Sequence, residues 1–349
     1  MREVIRMSVR TSVLLGGWTF VAAVVGLSPA AASGQTASPR ASLTSAPKAW
    51  SAKTPDGQPD LQGVWTNATI TPFERPTALG SKTVLSEEEA VALEQRTAAQ
   101  RQASDEAPAR PGDVGAYNQF WMDSGTKVLS TRQTSLVVDP PDGRVPATPA
   151  AERKRDDNLA RTVDSYEYMS VWDRCITRGM PGAMFPAGYN NAYQILQTPG
   201  YVVILHEMIH DARIIPIDGR AHVGSGIKLW NGDSRGHWEG NTLVVETSNF
   251  SDRGWVATSA ATGRVKGIPQ TEALHVVERL TRVDANTIAY EVTVTDPNIY
   301  TKSWTVKFPL SRDQGYQIYE YACHEGNHAV PNILSAGRAA DRTAANKQK

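Results

Sequence analysis

The segment 206–213 contains five side chains that can bind a metal, transfer a proton or hold an anion, namely His206, Glu207, His210, Asp211 and Arg213. The spacing His206-Glu207-x-x-His210 matches the H-E-x-x-H signature of zinc metalloproteases. In that signature both imidazoles bind one zinc ion and the glutamate activates a water molecule. The chemistry requires a helix, because two imidazoles four residues apart meet the same zinc ion only on a helix face.

The residues on both sides of the motif indicate strands instead of a helix, because segments 201–205 and 213–217 are rich in β-branched side chains. On a strand, His206 and His210 would lie about 13 Å apart, too far for one zinc ion with ligand bonds near 2 Å. A sharp bend at a hairpin tip, 208–211, would bring them together. Third ligands would then be Asp211, His222 or His237. The leading interpretation therefore has no cofactor, and zinc remains the alternative.

Without a metal, Glu207, His210 and Arg213 form an acid/base set at the tip of the predicted hairpin. Desolvation at an apolar barrel mouth disfavours a charged carboxylate, and a neighbouring arginine favours it. Such a pair suits proton transfer near neutral pH, and Arg213 would bind a substrate carboxylate or stabilise an oxyanion. A simpler interpretation also stands, in which Glu207 pairs with Arg213 across the hairpin and His210 caps a turn.

Two further polar segments, 232–241 and 319–328, contain groups that would contact a substrate. The first is interpreted as a loop and the second as a strand that enters a histidine-containing loop. Solvated turns and packing at strand ends explain the same residues without a function. The residues that we expect to bind substrate are Tyr193, Asp211, His237, Trp238 and His324.

The N-terminus has the pattern of a secretory signal peptide over residues 1–33. Three arginines precede an apolar stretch, 13–27, which is shorter than the roughly 20 residues of a membrane-spanning helix. Small residues follow at 28–33 as a cleavage zone. The sequence therefore predicts a periplasmic or secreted protein that has no membrane anchor once mature, with a disordered lead-in at 34–58.

Export determines how the cysteines are interpreted. Cys175 and Cys323 are the only two in the chain, and in an oxidising compartment an even number favours a disulfide. Closing so long a loop contributes about 4 to 5 kcal/mol in the chain-entropy model. A cysteine nucleophile is the alternative, although Cys323 and His324 would point to opposite faces of a strand.

Composition excludes several classes of function. The 36 basic and 36 acidic side chains balance, which argues against binding to nucleic acid or to an anionic membrane. No glycine-rich phosphate loop occurs, so nucleotide use is disfavoured. A small-molecule substrate or ligand remains as the expected partner, and the sequence does not indicate an oligomeric state.

Hydrophobic periodicity predicts a mainly β protein. A capping box at Ser86 begins a helix that ends near Gln100, and a polar helix covers 148–160. Regularly spaced strands with short connections predict an antiparallel β-barrel or sandwich, with a lipocalin-like barrel possible and a few helices in the N-terminal third. We expect one domain at 59–334 and a frayed polar tail at 335–349. The predicted strands are 134–138, 192–197, 201–205, 212–217, 242–247, 275–282, 287–295, 303–310 and 316–323.

Several blocks of the chain resemble an uncharacterised family of secreted, β-rich bacterial proteins found in proteobacteria and acidobacteria. The blocks are 60–66, 187–220, 232–250, 275–297 and 319–327. In that family the positions of Glu207, His210 and Arg213 recur, while the position of His206 varies. The two cysteine positions also match. The resemblance thus favours Glu207, His210 and Arg213 as the functional residues over a zinc pair.

The sequence therefore predicts an exported enzyme that needs no cofactor and transfers protons with Glu207 and His210 in a β-barrel pocket. Its substrate would be small and cyclic or oxygenated, and its chemistry that of a lyase, isomerase, hydratase or simple hydrolase. The first alternative is a lipocalin-like protein that binds a small ligand without turnover. The second is a zinc-dependent hydrolase.

Overall fold

The computed structural model describes residues 50–108 and 118–347, in which one antiparallel sheet contains ten strands. The predicted signal peptide and most of the predicted lead-in lie outside these residues. The strands are β1 (Gly63–Thr66), β2 (Val137–Asp139), β3 (Ala192–Thr198), β4 (Tyr201–His206), β5 (Ala212–Pro216), β6 (Asp233–Glu239), β7 (Thr242–Ser248), β8 (His275–Asp284), β9 (Thr287–Thr295) and β10 (Trp304–Arg312). The helices are α1 (Glu87–Glu106), α2 (Pro149–Ala160) and α3 (Ala329–Lys347).

The sheet curls into a nearly closed barrel, as the alternating strands predicted. Its hydrogen-bonded order is β5-β4-β3-β1-β10-β9-β8-β7-β6, and β2 pairs with β10 in addition. Side chains close the remaining seam between β5 and β6. Gly236 of β6 lies against the methyl groups of Ile215 and Ile217, leaving no room for a Cβ atom, and Arg213 of β5 donates a hydrogen bond of 3.2 Å to Ser234 of β6.

Alternate residues of each strand face the barrel interior, as the two-residue period of a strand requires. Along β8, Val276, Glu278, Leu280 and Arg282 are buried. Large apolar side chains from the other strands fill the same core. The interior is therefore a packed core, and cavities for a ligand lie among the loops outside it.

Loops that precede β3 pack against the ring of Trp304 at the start of β10. The rings of Phe73 and Phe185, both from loops, lie 6.2 and 6.3 Å from the ring of Trp304. Among the described residues, no helix is long and apolar enough to cross a membrane.

Both predicted N-terminal helices are confirmed. The capping box is present, because Ser86 accepts from the Glu89 backbone N–H and Glu89 accepts from that of Ser86. Thr148 caps α2 with its side-chain oxygen, which accepts from the backbone N–H of Ala151.

Two sequence-based expectations are wrong. Segment 233–239, which was expected to be a loop, is strand β6 and pairs with β7 along its full length. Segment 316–323, which was expected to be a strand, has no strand structure and crosses the end of β4 instead. The predicted disulfide between Cys175 and Cys323 is present and anchors this segment.

Candidate functional site

The H-E-x-x-H motif lies across the turn of the β4–β5 hairpin. Strand β4 ends at His206, a single 3-10 turn covers Met208–His210, and β5 begins at Ala212. Ile209 has φ 63°, a left-handed conformation that allows the chain to reverse within a few residues. The motif is therefore not on a helix, as its β-branched flanks predicted.

His206, the last residue of β4, faces the barrel interior and is only 2% exposed. Its ring meets the ring of Tyr193 edge-on at 5.4 Å. Neither ring nitrogen makes a hydrogen bond of good geometry within the described structure, although the Ala183 backbone lies near. Burial, together with the charge of Arg213, lowers the pKa of His206 to about 3. His206 is therefore an uncharged core residue at neutral pH.

Arg213 also faces the interior, where its partner is Glu278 of β8. The two guanidinium NH groups donate to the two carboxylate oxygens at 3.1 and 2.6 Å. Tyr290 donates to the same carboxylate at 2.8 Å, and all three side chains are buried. The interpretation in which Glu207 pairs with Arg213 across the hairpin is therefore wrong, because Arg213 pairs with Glu278. Glu207 and Arg213 also do not converge on one site.

Glu207 leaves the barrel and is covered by segment 316–323. Its Oε1 atom accepts a hydrogen bond of 2.6 Å from the hydroxyl of Tyr316 and a longer one of 3.4 Å from the backbone N–H of Tyr319. The side chain is 1% exposed, and Oε2 has no hydrogen-bond partner among the described residues. Burial and the hydrogen bond to Glu207 raise the pKa of Tyr316. A carboxylate with one satisfied and one unsatisfied oxygen is thus held beneath this segment.

Glu207 lines a cavity of about 850 Å³ outside the barrel core. Cys323 lines the same cavity, so the disulfide to Cys175 anchors one of its walls. The rings of Tyr189 and Tyr321 are nearly parallel, with centroids 6.5 Å apart. The aromatic side chains that line the cavity are Phe120, Trp121, Tyr189, Tyr316, Tyr319 and Tyr321. We call this space the Glu207 cavity.

A second acid, Asp123, lines the Glu207 cavity, and its side chain is partly open to solvent. It accepts hydrogen bonds from the backbone N–H of Asn191 at 2.9 Å and from the Asn191 side-chain amide at 2.7 Å. Burial raises the pKa of Asp123. Asp123 also lies close enough to Tyr316 to raise the pKa of that tyrosine. The cavity lining therefore includes three carboxyl side chains, those of Asp123, Glu207 and Glu320, within a largely aromatic wall.

The other residues that were expected to bind substrate do not line the Glu207 cavity. Tyr193 lies inside the barrel, where its hydroxyl accepts from Asn67. Asp211 accepts from Thr177 at 2.6 Å and from Asn231 at 2.5 Å, which ties the hairpin to neighbouring loops.

The remaining expected residues lie elsewhere as well. On β6, His237 contacts exposed Glu239 at 3.3 Å, while Trp238 is half-buried and packs against the barrel core. His324 is exposed in the loop after Cys323. The side chain of His210 lies outside the part of the chain that the structure describes.

Sequence reasoning indicated the part of the cavity wall that segment 319–328 forms, but it missed other parts, which come from segments without periodicity. Phe120, Trp121 and Asp123 come from a stretch for which the sequence predicts no element, and Tyr316 comes from the part of the expected strand that precedes residue 319. A signal for them does exist. Aromatic residues are frequent in both segments. Aromatic side chains in a loop outside the core leave apolar surface exposed, and such surface often indicates a binding site.

Among the side chains that the structure describes, no group of three or more His, Cys, Asp or Glu is arranged to hold a metal ion. Comparison with family models, with curated proteins and with solved structures finds no match to this chain. The chemistry of the site therefore has to be argued from its geometry.

Proposed function

We propose that the chain is an exported enzyme that needs no organic cofactor and uses Glu207 as a general base. The observation that supports this most strongly is the free Oε2 atom of a buried carboxylate on the wall of a cavity of about 850 Å³. A buried acceptor without a partner is rare in folded proteins and often marks a functional group. The cavity volume lies within the range of small-molecule sites.

The arrangement suits the removal of a proton from a small cyclic substrate. Tyr189 and Tyr321 provide aromatic faces on which a ring can stack. Glu207 takes the proton on Oε2, while Tyr316 keeps Oε1 in place by donating its hydroxyl proton to it. Returning the proton to another atom gives an isomerase, and loss of a leaving group gives a lyase. Asp123 would supply the proton that a leaving group needs.

Binding without turnover is the second candidate function. Phe120, Trp121 and Tyr319 are 82%, 61% and 67% exposed, and all three line the Glu207 cavity. Exposed aromatic side chains around a cavity are typical of sites that capture rings or sugars. In that case Glu207 would only accept a hydrogen bond from the ligand.

Export is supported by the disulfide between Cys175 and Cys323, because such bonds persist in oxidising compartments. We propose the periplasm or the exterior of the cell as the location of the mature chain.

The test uses nitrobenzisoxazole, a small aromatic probe that reports on any well-placed base. A base removes the C–H proton of the isoxazole ring, the C–H electron pair forms the nitrile as the N–O bond breaks, and a coloured cyano-nitrophenolate leaves. We expect the wild-type protein to catalyse this elimination, and Glu207→Gln to lower kcat/KM by about 100-fold or more, the range of general base catalysis.

Glu325→Gln is the matched control, because Glu325 is exposed and does not line the Glu207 cavity. It should keep the wild-type rate and melting temperature. Equal rates for Glu207→Gln and wild type would overturn the enzyme proposal. Saturable binding of the probe without product would favour the ligand-binding candidate instead.

A further inference from the structure

A second cavity, of about 510 Å³, shares Tyr189 with the Glu207 cavity but has a different chemical character. Three cationic side chains, Arg101, Arg178 and Lys266, are among its described lining residues, and no aspartate or glutamate is. Much of the remaining wall is apolar. Its apolar members include Ile70, Pro72, Phe73, Met122, Leu136 and Met208. We call this space the Arg178 cavity.

Arg178 is the most deeply buried of the three cations and is only 4% exposed. Its Nε–H has no acceptor, and no carboxylate of the described chain forms a salt bridge with it. Burial lowers the pKa of Arg178, and the groups that oppose this effect are the phenols of Tyr193, Tyr189 and Tyr321. A guanidinium nevertheless stays protonated in proteins, so a positive charge is buried there without a counter-charge. Burying an unpaired charge is costly, and such charges are ordinarily paired.

Trp172 adds a second unused donor to the same cavity wall. Its indole Nε1–H is buried and has no acceptor within the described residues. The guanidinium of Arg178 lies 5.7 Å from the centre of the Trp172 ring, so the two donors are neighbours. Buried N–H groups nearly always have an acceptor, and two adjacent ones without an acceptor point to a missing partner.

The backbone holds Arg178 in a defined position. Gly179 has φ +75°, and a Cβ atom there would lie 2.7 Å from the carbonyl oxygen of Trp255, so only glycine allows this close approach. Thr258 donates to the carbonyl of Arg178 at 3.4 Å, and the disulfide of Cys175 lies three residues away in the chain. A donor that is fixed before binding loses little entropy when its ligand arrives.

We propose that the Arg178 cavity binds a ligand with a carboxylate head and an apolar body. The carboxylate would accept from the guanidinium of Arg178 and from the indole of Trp172, and the apolar wall would cover the body. A single negative charge fits better than a doubly charged phosphate. Of the three cations in the described lining, only Arg178 is buried, because Arg101 and Lys266 are partly exposed. The guanidinium of Arg101 also donates to Ser124 and to the carbonyl of Gly125.

The proposal goes beyond the reaction assigned to Glu207 and does not depend on it. The two cavities have different linings apart from Tyr189, and Glu207 does not line the Arg178 cavity. A carboxylate can therefore bind here whether or not Glu207 is a base.

The test is calorimetric titration of the full chain with benzoate, phenylbutyrate and octanoate, and with the uncharged alcohol of phenylbutyrate. We expect at least one carboxylate to bind with a Kd of about 1 mM or lower and the alcohol to bind at least tenfold more weakly. Arg178→Met keeps the unbranched stem of the side chain but removes its charged guanidinium. It should weaken carboxylate binding by about 10- to 100-fold, which corresponds to the loss of a charged hydrogen bond.

Three further variants keep the test decisive. Arg253→Met, at an exposed arginine outside the cavity, should bind the carboxylates like the wild type, and so should Glu207→Gln. If Arg178→Met does not fold, Arg178→Lys replaces it, because lysine keeps the charge but loses the paired donors and should bind about tenfold more weakly. The proposal is overturned if no carboxylate binds, if the alcohol binds equally well, or if the Arg178 variants keep wild-type affinity.

Discussion

At the residue scale, His206 and Glu207 show how the end of a strand separates the functions of adjacent side chains. His206, the last residue of β4, is part of the barrel core, whereas Glu207, the first residue after the strand, lines an external cavity. The two-residue period of β4 accounts for the inward side chain of His206, which follows buried Val202 and Ile204. The partner of Arg213 could not be predicted in the same way, because Glu278 is 65 residues away and no local pattern indicates which strands meet across a barrel.

The buried state of His206 predicts a specific pH dependence of stability. Burial lowers its pKa from the ordinary 6.5 to about 3, so between these values the unfolded chain binds a proton that the folded chain excludes. The free energy of unfolding therefore falls as the pH falls through this range, by up to about 1.4 kcal/mol per pH unit from this group. His206→Phe should remove this contribution, so its stability relative to wild type should increase as the pH is lowered. Urea unfolding at several pH values measures the difference.

Tyr193→Phe is the control for this prediction, because the ring of Tyr193 packs against His206 and its phenol does not titrate in this pH range. Its free energy of unfolding relative to wild type should stay constant as the pH changes. If the difference in the free energy of unfolding between His206→Phe and wild type does not change with pH, His206 has the same pKa in the folded and unfolded chains, and the prediction is wrong.

At the scale of secondary-structure elements, alternation and turn residues predicted the strands that β-branched side chains dominate. Strand β6 was missed because Asp233–Glu239 contains no β-branched residue and four charged or titratable side chains. It forms a strand because the turn at Gly240 lets β7 fold back along it and pair with it over its full length. This pairing outweighs the weak β-propensity of the segment. Segment 316–323 is the opposite case. Its aromatic side chains favour a strand, yet the bond to Cys175 and the hydrogen bond to Glu207 draw it across the site.

The disulfide should therefore stabilise both the whole fold and the wall of the Glu207 cavity. It joins residues 148 positions apart, and replacing both cysteines with serine should lower the free energy of unfolding by about 2 to 5 kcal/mol. Hydrogen exchange should increase more in segment 316–323 than in α1, which carries no cross-link. Urea unfolding and exchange mass spectrometry measure the two effects.

A reducing agent provides the control, because it should destabilise the wild type and leave the double serine variant unchanged. Equal protection of segment 316–323 with and without the bond would contradict its role as an anchor.

At the scale of the whole molecule, the barrel closes around a polar cluster in its core. Arg213 of β5 and Glu278 of β8 come from opposite sides of the seam between β5 and β6. Ser234 of β6 joins them through Arg213 and also contacts Thr247 of β7 at 2.9 Å. This cluster connects the two edge strands that backbone hydrogen bonds leave unpaired. The barrel class was predictable from the number and spacing of strands, whereas this manner of closure was not.

A double-mutant cycle on Arg213 and Glu278 tests whether their ion pair holds the seam between β5 and β6 closed. Arg213→Met leaves the fully buried carboxylate of Glu278 without its counter-charge, and we expect a loss of about 3 to 5 kcal/mol in the free energy of unfolding. Arg213→Met combined with Glu278→Met removes both charges and keeps the volume filled, so most of that loss should be recovered. Urea unfolding of the wild type, both single variants and the double variant measures the coupling. If the loss of unfolding free energy in the double variant equals the sum of the losses in the single variants, the two charges do not act as a pair. Apolar packing of Ile215 and Ile217 against Gly236 then closes the barrel without them.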